Sequence, residues 1–418
     1  MRRLLFVSYW VPPRMAIGTV RSSHLIKHLS KFGWEVTTVT ACLGSDRTAF
    51  VETGFWDVKG SIKHAFGMNG GAENPNVAQY GSKRPLHKRA ISLVSGLVTY
   101  PDEQVGWVPH AARTLRDMVT QNQWDAILSS APPMSTNLAV ALAHGRVPWV
   151  ADMRDLWAED DSTEHSALRS YMDDKLERLC LGQASAMTAT SERSAQRFRQ
   201  RHPGKLCVPI STGFDDEEWQ VIPFGSEPEC TLLYAGTLYR GKRDPSMLFA
   251  AVRRLLDEGS ATPAELRVDF YTPRETWLLE LIARFGLDDV VRVHGFVDRS
   301  IVLAAQRRAD RLIVLSWDGP TAEGVVAGKL FEYFGARRPV LAIGGPPVFA
   351  VEDLLNETGT GVRCRTIDDT AIEIRNAITQ HRNGAIRMIE PSAVAAYTGE
   401  ACAQQFARVL NGVASSVT

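Results

Sequence analysis

RLIVLSWDGPTAEGVVAGKLFEYFGARRPVLAI, residues 311–343, decides the architecture. Residues 311–316 and 339–343 are short apolar, β-branched runs, the composition of buried strands. Between them, 317–323 reads as a loop, and the segment from Gly324 to about Gly335 reads as a helix with Leu330, Phe331 and Phe334 on its apolar side. Strand, helix and strand within so short a span form a parallel βαβ unit. The helix start also carries chemistry. Amides near Val325 and Val326 in its first turn are free to bind an anion, and Gly324 and Gly328 let a ligand approach the backbone. Lys329 and Glu332 are three apart and share a face, so a cation can meet phosphate while a carboxylate accepts ribose hydroxyls. An i,i+3 surface ion pair is the plainer alternative.

The same alternation extends in both directions. Strands are expected at 231–236, 267–272 and 290–296 before this unit and at 362–366 after it. A helix follows the first of them, with Asp244 at its N-cap, Pro245 at N1, and Leu248, Val252 and Leu255 on one face. An earlier series places strands at 4–10, 35–40, 125–130, 149–153, 186–190 and 206–211. Its first helix carries Leu25, Ile26 and Leu29 on one face and closes at Gly33. Residues 213–229 hold Asp215–Glu218, Pro223, Gly225 and Pro228, the polar, breaker-rich make-up of a linker. The fold class is therefore α/β, two doubly wound Rossmann-like domains at 1–212 and 230–390, followed by a C-terminal helix within 391–418 that returns toward the first domain. Ligands in such sheets sit beyond the carboxyl ends of the strands, which directs attention to a cleft between the domains.

Composition agrees. The 418 residues suffice for two or three domains of ~150 residues. Forty-seven basic residues balance 47 acidic ones, so bulk charge does not recruit nucleic acid. Six scattered cysteines without a C-x-x-C pair fit a reducing compartment. The apolar start runs into Pro12-Pro13 without a cleavage site, and no stretch reaches the ~18 apolar residues of a membrane span, so a cytoplasmic protein is expected.

Residues 42–105 interrupt the rhythm as an insertion. Lys83, Arg84, His87, Lys88 and Arg89 precede Ile91, Leu93, Val94, Leu97 and Val98, a helix with a cationic start and an apolar body. It suits an anionic membrane surface, and equally an insertion helix packed on its own domain.

Two further constellations stand out. Gly236-Thr237-Leu-Tyr-Arg240-Gly-Lys242-Arg243 follows a strand and groups cations where a diphosphate can lie, yet lacks the hydroxyl of a P-loop; a solvated basic turn is the alternative. Asp152-Met-Arg154-Asp155 ends another strand and sets a guanidinium between two carboxylates, either a substrate-binding group or an internal lock. There is no H-E-x-x-H, D-x-D or G-x-S-x-G motif.

Taken in order, Tyr9-Trp-Val-Pro-Pro13 with Arg21, Asp152–Trp157, Tyr234–Leu238 with Lys242, and Gly328–Tyr333 with Arg338-Pro-Val340 resemble the retaining GT-B glycosyltransferases of family 4, common in bacterial surface polysaccharide assembly. The resemblance spans nearly the whole chain. It implies a metal-independent hexosyl- or N-acetylhexosaminyltransferase without a cofactor. A nucleotide diphosphate-sugar donor, by this resemblance a UDP-sugar, would bind the second domain, and a saccharide or lipid-linked acceptor the first. Glu332 matches the second Glu of the family's E-x7-E pattern, which binds ribose; Lys242 matches the diphosphate cation. The resemblance places Gly18, Gly236, Thr237, Arg240, Gly324, Val325, Val326 and Lys329 around the donor, and Asp152, Arg154 and Glu323 at the chemistry. Four places depart from the family: the first Glu of the pattern would fall at Gly324 while Glu323 is one residue early, Thr237 occupies the place of its first diphosphate-binding Arg with Arg240 as the replacement, the first βα loop has only Gly18 where the family often has Gly-Gly, and Asp152 stands where many members carry a His. A soluble small-molecule acceptor, a GT-B-like sugar-nucleotide epimerase and a non-catalytic nucleotide-binding protein are the alternatives.

Overall fold

The computed structural model describes residues 1–14, 17–42, 50–58, 60–61, 98–159, 166–316 and 320–415. The chain divides into two compact units, one of residues 1–210 together with the stretch from Ala403 onward, the other of residues 211–402.

The first unit is built on a seven-stranded sheet of β1 (Arg2–Ser8), β2 (Trp34–Ala41), β3 (Val51–Thr53), β4 (Ala126–Ala131), β5 (Trp149–Met153), β6 (Ala186–Ala189) and β7 (Leu206–Pro209). Its order is β3-β2-β1-β4-β5-β6-β7, and every pairing is parallel. Helices cover a parallel sheet on both faces, which is why β4, Ala-Ile-Leu-Ser-Ser-Ala, is buried at all six positions. The order reverses between β1 and β4, the switch point at which such sheets bind ligands. β3 lies inside the expected insertion; three residues with half-buried Val51 and Glu52 give too brief an alternation to read from sequence. The basic run 83–89 and the apolar positions 91–97 lie outside the described residues.

The second unit repeats the plan with β8 (Cys230–Ala235), β9 (Leu266–Tyr271), β10 (Val291–Val293), β11 (Arg311–Leu315), β12 (Val340–Ile343) and β13 (Gly361–Cys364), ordered β10-β9-β8-β11-β12-β13 and again wholly parallel. Its switch point falls between β8 and β11. The stretch read as a linker is more structured than expected: it holds the helix Asp216–Gln220, whose Trp219 is buried against the second unit's core. Gly335 is the position that admits this indole, since a Cβ there would overlap it.

Three helix boundaries differ from the sequence reading. The helix Ser246–Asp257 has Pro245, not Asp244, at its N-cap, while Asp244 Oδ1 accepts from the Ser246 amide at 2.8 Å. The first helix, Ile17–His28, tightens into a 3-10 turn, Leu29–Phe32, before Gly33 closes it at φ 87°. Most consequentially, the helix expected from Gly324 begins at Gly328 and runs to Ala336, after a separate 3-10 turn at Pro320–Gly324. The C-terminal helix Gly399–Ser415 brings Phe406 against the Arg21 guanidinium, 4.7 Å from ring centre to carbon, and Asn411 Oδ1 to Arg2 Nη1 at 2.8 Å.

Candidate functional site

The carboxyl edge of the second sheet assembles most of the expected donor residues. β8 ends at Ala235, whose amide donates to the buried Tyr333 Oη at 3.0 Å, pinning the helix Gly328–Ala336 to the strand. Gly236 follows at φ 116°, a conformation glycine adopts freely, and a Cβ there would stand 2.9 Å from Lys329 Nζ. Lys329 reaches beneath this turn. Its Nζ is buried, lies 3.8 Å from the centre of the Tyr234 ring, and makes no hydrogen bond. Burial pushes the Lys329 amine well below its ordinary range; Arg243 adds to the depression and Glu332 opposes it. The i,i+3 ion pair with Glu332 is therefore not formed.

The basic turn is ordered by its backbone. Tyr239 takes φ 53°, the Lys242 amide donates to Tyr239 O at 2.9 Å, and Arg243 Nη1 donates to Thr237 O at 3.0 Å. Positive φ at a tyrosine is uncommon and costs about 1 kcal/mol or more, the kind of strain that collects at binding sites. Arg240 is exposed and Lys242 half-buried on this turn. Arg243, Ser316, Val325 and Ala327 line one small cavity at the end of β11, so the turn and the segment before the helix share a space. Arg243 was grouped with its neighbours in sequence; its part beside Lys329 follows from the fold.

The Val325 amide departs from its expected role. It donates to Ala322 O at 3.2 Å, closing the 3-10 turn, and Val326 lies ahead of the helix. The first-turn donors of the true helix are those of Gly328 and Lys329. Gly at several positions hid the start, because Gly324 and Gly328 are equally plausible boundaries in sequence. Gly324 is buried and Glu323 half-buried within the preceding turn.

Glu332 points away from Lys329. Its Oε2 accepts from Arg299 Nη1 at 2.6 Å and its Oε1 from Gln306 Nε2 at 2.6 Å. Arg299 is held in turn by both Glu218 oxygens, at 2.8 and 2.9 Å. Each Glu332 oxygen accepts one donor and retains a second lone pair. Sequence spacing named Glu332 but not Arg299 or Gln306, which come from a different helix, Arg299–Arg308.

On the first sheet's carboxyl edge, Asp152 sits in an internal lock, one of the two arrangements its sequence allows, with Arg21 rather than Arg154 as its partner. It is fully buried, and its four acceptor positions are taken: Oδ1 by Arg21 Nη2 and Thr188 Oγ1, both at 2.7 Å, and Oδ2 by Arg21 Nε at 2.8 Å and Ser130 Oγ at 2.9 Å. Arg21 also donates to Ile210 O at 2.8 Å. This buried pair ties the first helix to β4, β5 and β6. Arg154, two residues on, behaves differently. Its guanidinium packs against Gly18, where a Cβ would overlap it, and Nη2 donates to Pro132 O. Its Nε is buried with no partner. Burial lowers the guanidinium's pKa, with Asp155 and Asp152 opposing and Arg21 adding to the fall. Gly18 and Arg154 are thus brought together at the start of the first helix, while Asp152 faces inward.

Residues 18–209 match the family described as Glycosyl transferase 4-like domain. Among solved structures, sucrose-phosphate synthase from Thermosynechococcus elongatus is 14% identical with a TM-score of 0.63, all of both chains being covered. The lipopolysaccharide outer core galactosyltransferase WaaB in its apo form is 12% identical at 0.61, also over both whole chains. A point mutant of S. aureus TarM, in complex with Fondaparinux, alpha-GlcNAc-glycerol and UDP, is 10% identical at 0.59, over 98% of this chain and 100% of that one. The fold is GT-B. A search of curated proteins finds no match to this sequence.

Proposed function

We propose that the protein is a retaining glycosyltransferase that moves a hexosyl or N-acetylhexosaminyl group from a UDP-sugar to a saccharide or lipid-linked acceptor without a metal ion. The observation that carries this reading is Lys329 Nζ, buried without a hydrogen-bond partner beneath the Gly236 turn and close to Arg243. An amine so placed resists protonation until an anion arrives, and a diphosphate supplies one. The match of residues 18–209 and the GT-B fold support the transferase class, and UDP in the TarM complex supports the choice of nucleotide.

In this mechanism the bond between the anomeric carbon and the diphosphate oxygen breaks as the acceptor oxygen bonds to the same carbon on the same face. The acceptor's proton passes to the departing diphosphate. Lys329, Arg243, Arg240 and Lys242, with the Gly328 and Lys329 amides, stabilise the leaving charge, the largest electrostatic demand of the reaction. Glu332, oriented by Arg299 and Gln306, accepts ribose hydroxyls. In the first domain Arg154 beside Gly18 serves the acceptor or the transferred sugar, Glu323 lies beside that sugar, and Asp152 acts only through Arg21.

No helix among the described residues is long and apolar enough to cross a membrane. The basic run 83–89 suits attachment at the inner face of an anionic membrane, where a lipid-linked acceptor resides. Titration of pure protein with UDP, UDP-glucose and UDP-N-acetylglucosamine in the presence of chelator tests the donor half. Binding that requires added divalent metal would refute it.

A further inference from the structure

We propose that the second domain carries a phosphate site away from the donor turn, formed by Arg307, Arg337 and Arg338 around Phe224, whose ligand is inorganic phosphate or a phosphomonoester. The three guanidinium carbons lie 3.9, 5.3 and 5.9 Å from the centre of the Phe224 ring. Arg307 is in the last turn of the helix Arg299–Arg308, Arg337 closes the helix Gly328–Ala336, and Arg338 stands just ahead of β12. The cluster therefore lies toward the amino ends of β11 and β12. The donor turn follows the carboxyl end of β8, in a sheet whose strands all run the same way.

Three like charges gathered round one ring call for a counter-charge, and the neighbouring side chains do not bring one into contact. The hydrogen bonds of the three go to backbone carbonyls: Arg307 Nη2 donates to Trp219 O at 2.7 Å, Arg338 Nε to Arg307 O at 2.8 Å, Arg338 Nη2 to Arg307 O and Gly225 O, and Arg337 Nε to Ile389 O at 2.7 Å. Among the described residues none of the three pairs with a carboxylate. The acids that act on them are committed elsewhere. Asp310 accepts from the Thr231 amide at 2.8 Å and faces His381 Nδ1 at 3.0 Å, and the exposed Asp216 accepts from Gln220 Nε2 at 3.0 Å. Arg307 registers the imbalance: it is 4% exposed, its Nε is buried with no partner, and its pKa is lowered to about 10 by burial and then by Arg337 and Arg338, with Asp216 opposing. Arg337 takes φ 57°, a left-handed helix end where glycine is the usual residue, and its two terminal nitrogens make no hydrogen bond among the described residues. Guanidinium forks bind phosphate oxygens bidentately, and a tetrahedral phosphate offers acceptors in several directions where a planar carboxylate serves fewer donors. Phe224, 39% exposed, and the half-buried Arg337 leave the cluster open to solvent. A phosphate bound there would tie together the ends of two helices and so stabilise the folded chain.

Urea unfolding of the full chain over a millimolar series of inorganic phosphate, at constant ionic strength, tests this in wild type and in Lys329→Met, which lacks the amine assigned to the donor. The midpoint should rise saturably in both. Arg337→Gln should weaken the apparent phosphate affinity roughly tenfold through the lost charged hydrogen bonds, and Arg337→Lys, which keeps the charge, should recover part of it. Phe224→Leu, at a position outside any helix or strand, should weaken phosphate as well and keeps the test open if the glutamine variant does not fold. Glycerol phosphate run in the same way identifies the source: tighter binding than phosphate names a monoester, and equal or weaker binding names the free ion. A rise that does not saturate and is the same in every variant is the general effect of an excluded salt and overturns the proposal. An equal, saturable response to acetate overturns the choice of phosphate. A rise lost in Lys329→Met also overturns the proposal, since it places the anion at the donor turn and leaves the transferase reading standing.

Discussion

Lys329 Nζ stands 3.8 Å from the centre of the Tyr234 ring, with the Gly236 turn above it and no hydrogen-bond partner. Burying an amine this way costs stability whenever the unfolded chain would hold its proton. Because the folded-state pKa is depressed, the unfolded chain binds more protons between that lowered value and the ordinary lysine range. Stability should therefore rise with pH across this window. Lys329→Met should be more stable than wild type at neutral pH and should lose that rise, measured by urea unfolding at a series of pH values. A less stable variant with the same pH slope would show that the amine is already satisfied.

Donor binding should take up a proton. Among the charges acting on Lys329, Arg243 depresses its pKa and Glu332 opposes the depression; a diphosphate would raise it. Calorimetric titration of UDP in buffers of different ionisation enthalpy, run across a series of pH values up to the ordinary lysine range, should give a positive proton count for wild type and a smaller one for Lys329→Met. Affinity should fall as pH rises. An identical proton count in the two proteins would assign the uptake to another group.

Glu332 should matter to ribose rather than to phosphate. Glu332→Ala should weaken UDP binding by ~1–3 kcal/mol and leave pyrophosphate binding nearly unchanged. Arg299→Leu should reproduce part of this loss, since Arg299 holds the Glu332 Oε2. Equal losses for both ligands would place Glu332 in the electrostatics of the phosphates instead.

Asp152 should be a stability residue. Asp152→Ala leaves the buried Arg21 guanidinium without its carboxylate and should cost ~3–5 kcal/mol. Turnover per folded molecule should stay close to wild type, checked by comparing denaturant midpoints with transfer rates. A large fall in turnover in a protein of unchanged midpoint would return Asp152 to the chemistry.

The contrast between Asp152 and Glu332 shows what the sequence makes legible. Strand and helix periodicity locates twelve of the thirteen strands among the described residues to within a few residues, because a parallel sheet covered on both faces is written as short continuous apolar runs. The exception, β3, has too few residues for a pattern. Lys329 and Glu332 were legible as a pair of polar residues on an otherwise apolar helix. Their opposite directions were not, because partners such as Tyr234, Arg299 and Gln306 lie far away in sequence and meet them only across the sheet edge. Likewise Asp-x-Arg-Asp at 152–155 allows either a substrate-binding group or a local lock, whereas Asp152 closes on Arg21, 131 residues earlier. Long-range pairing of this kind leaves no trace in spacing.

The most direct test of the account is sugar transfer by pure protein in the presence of EDTA. A panel of UDP-sugars with neutral saccharide acceptors is followed by UDP release and by NMR of the product's anomeric configuration. The account predicts UDP release that persists under chelation, an α-linked product from an α-configured donor, and at least a tenfold loss in Lys329→Met, the size of about one charged hydrogen bond. Tight UDP binding without release from any UDP-sugar, or release that chelation abolishes, would contradict it.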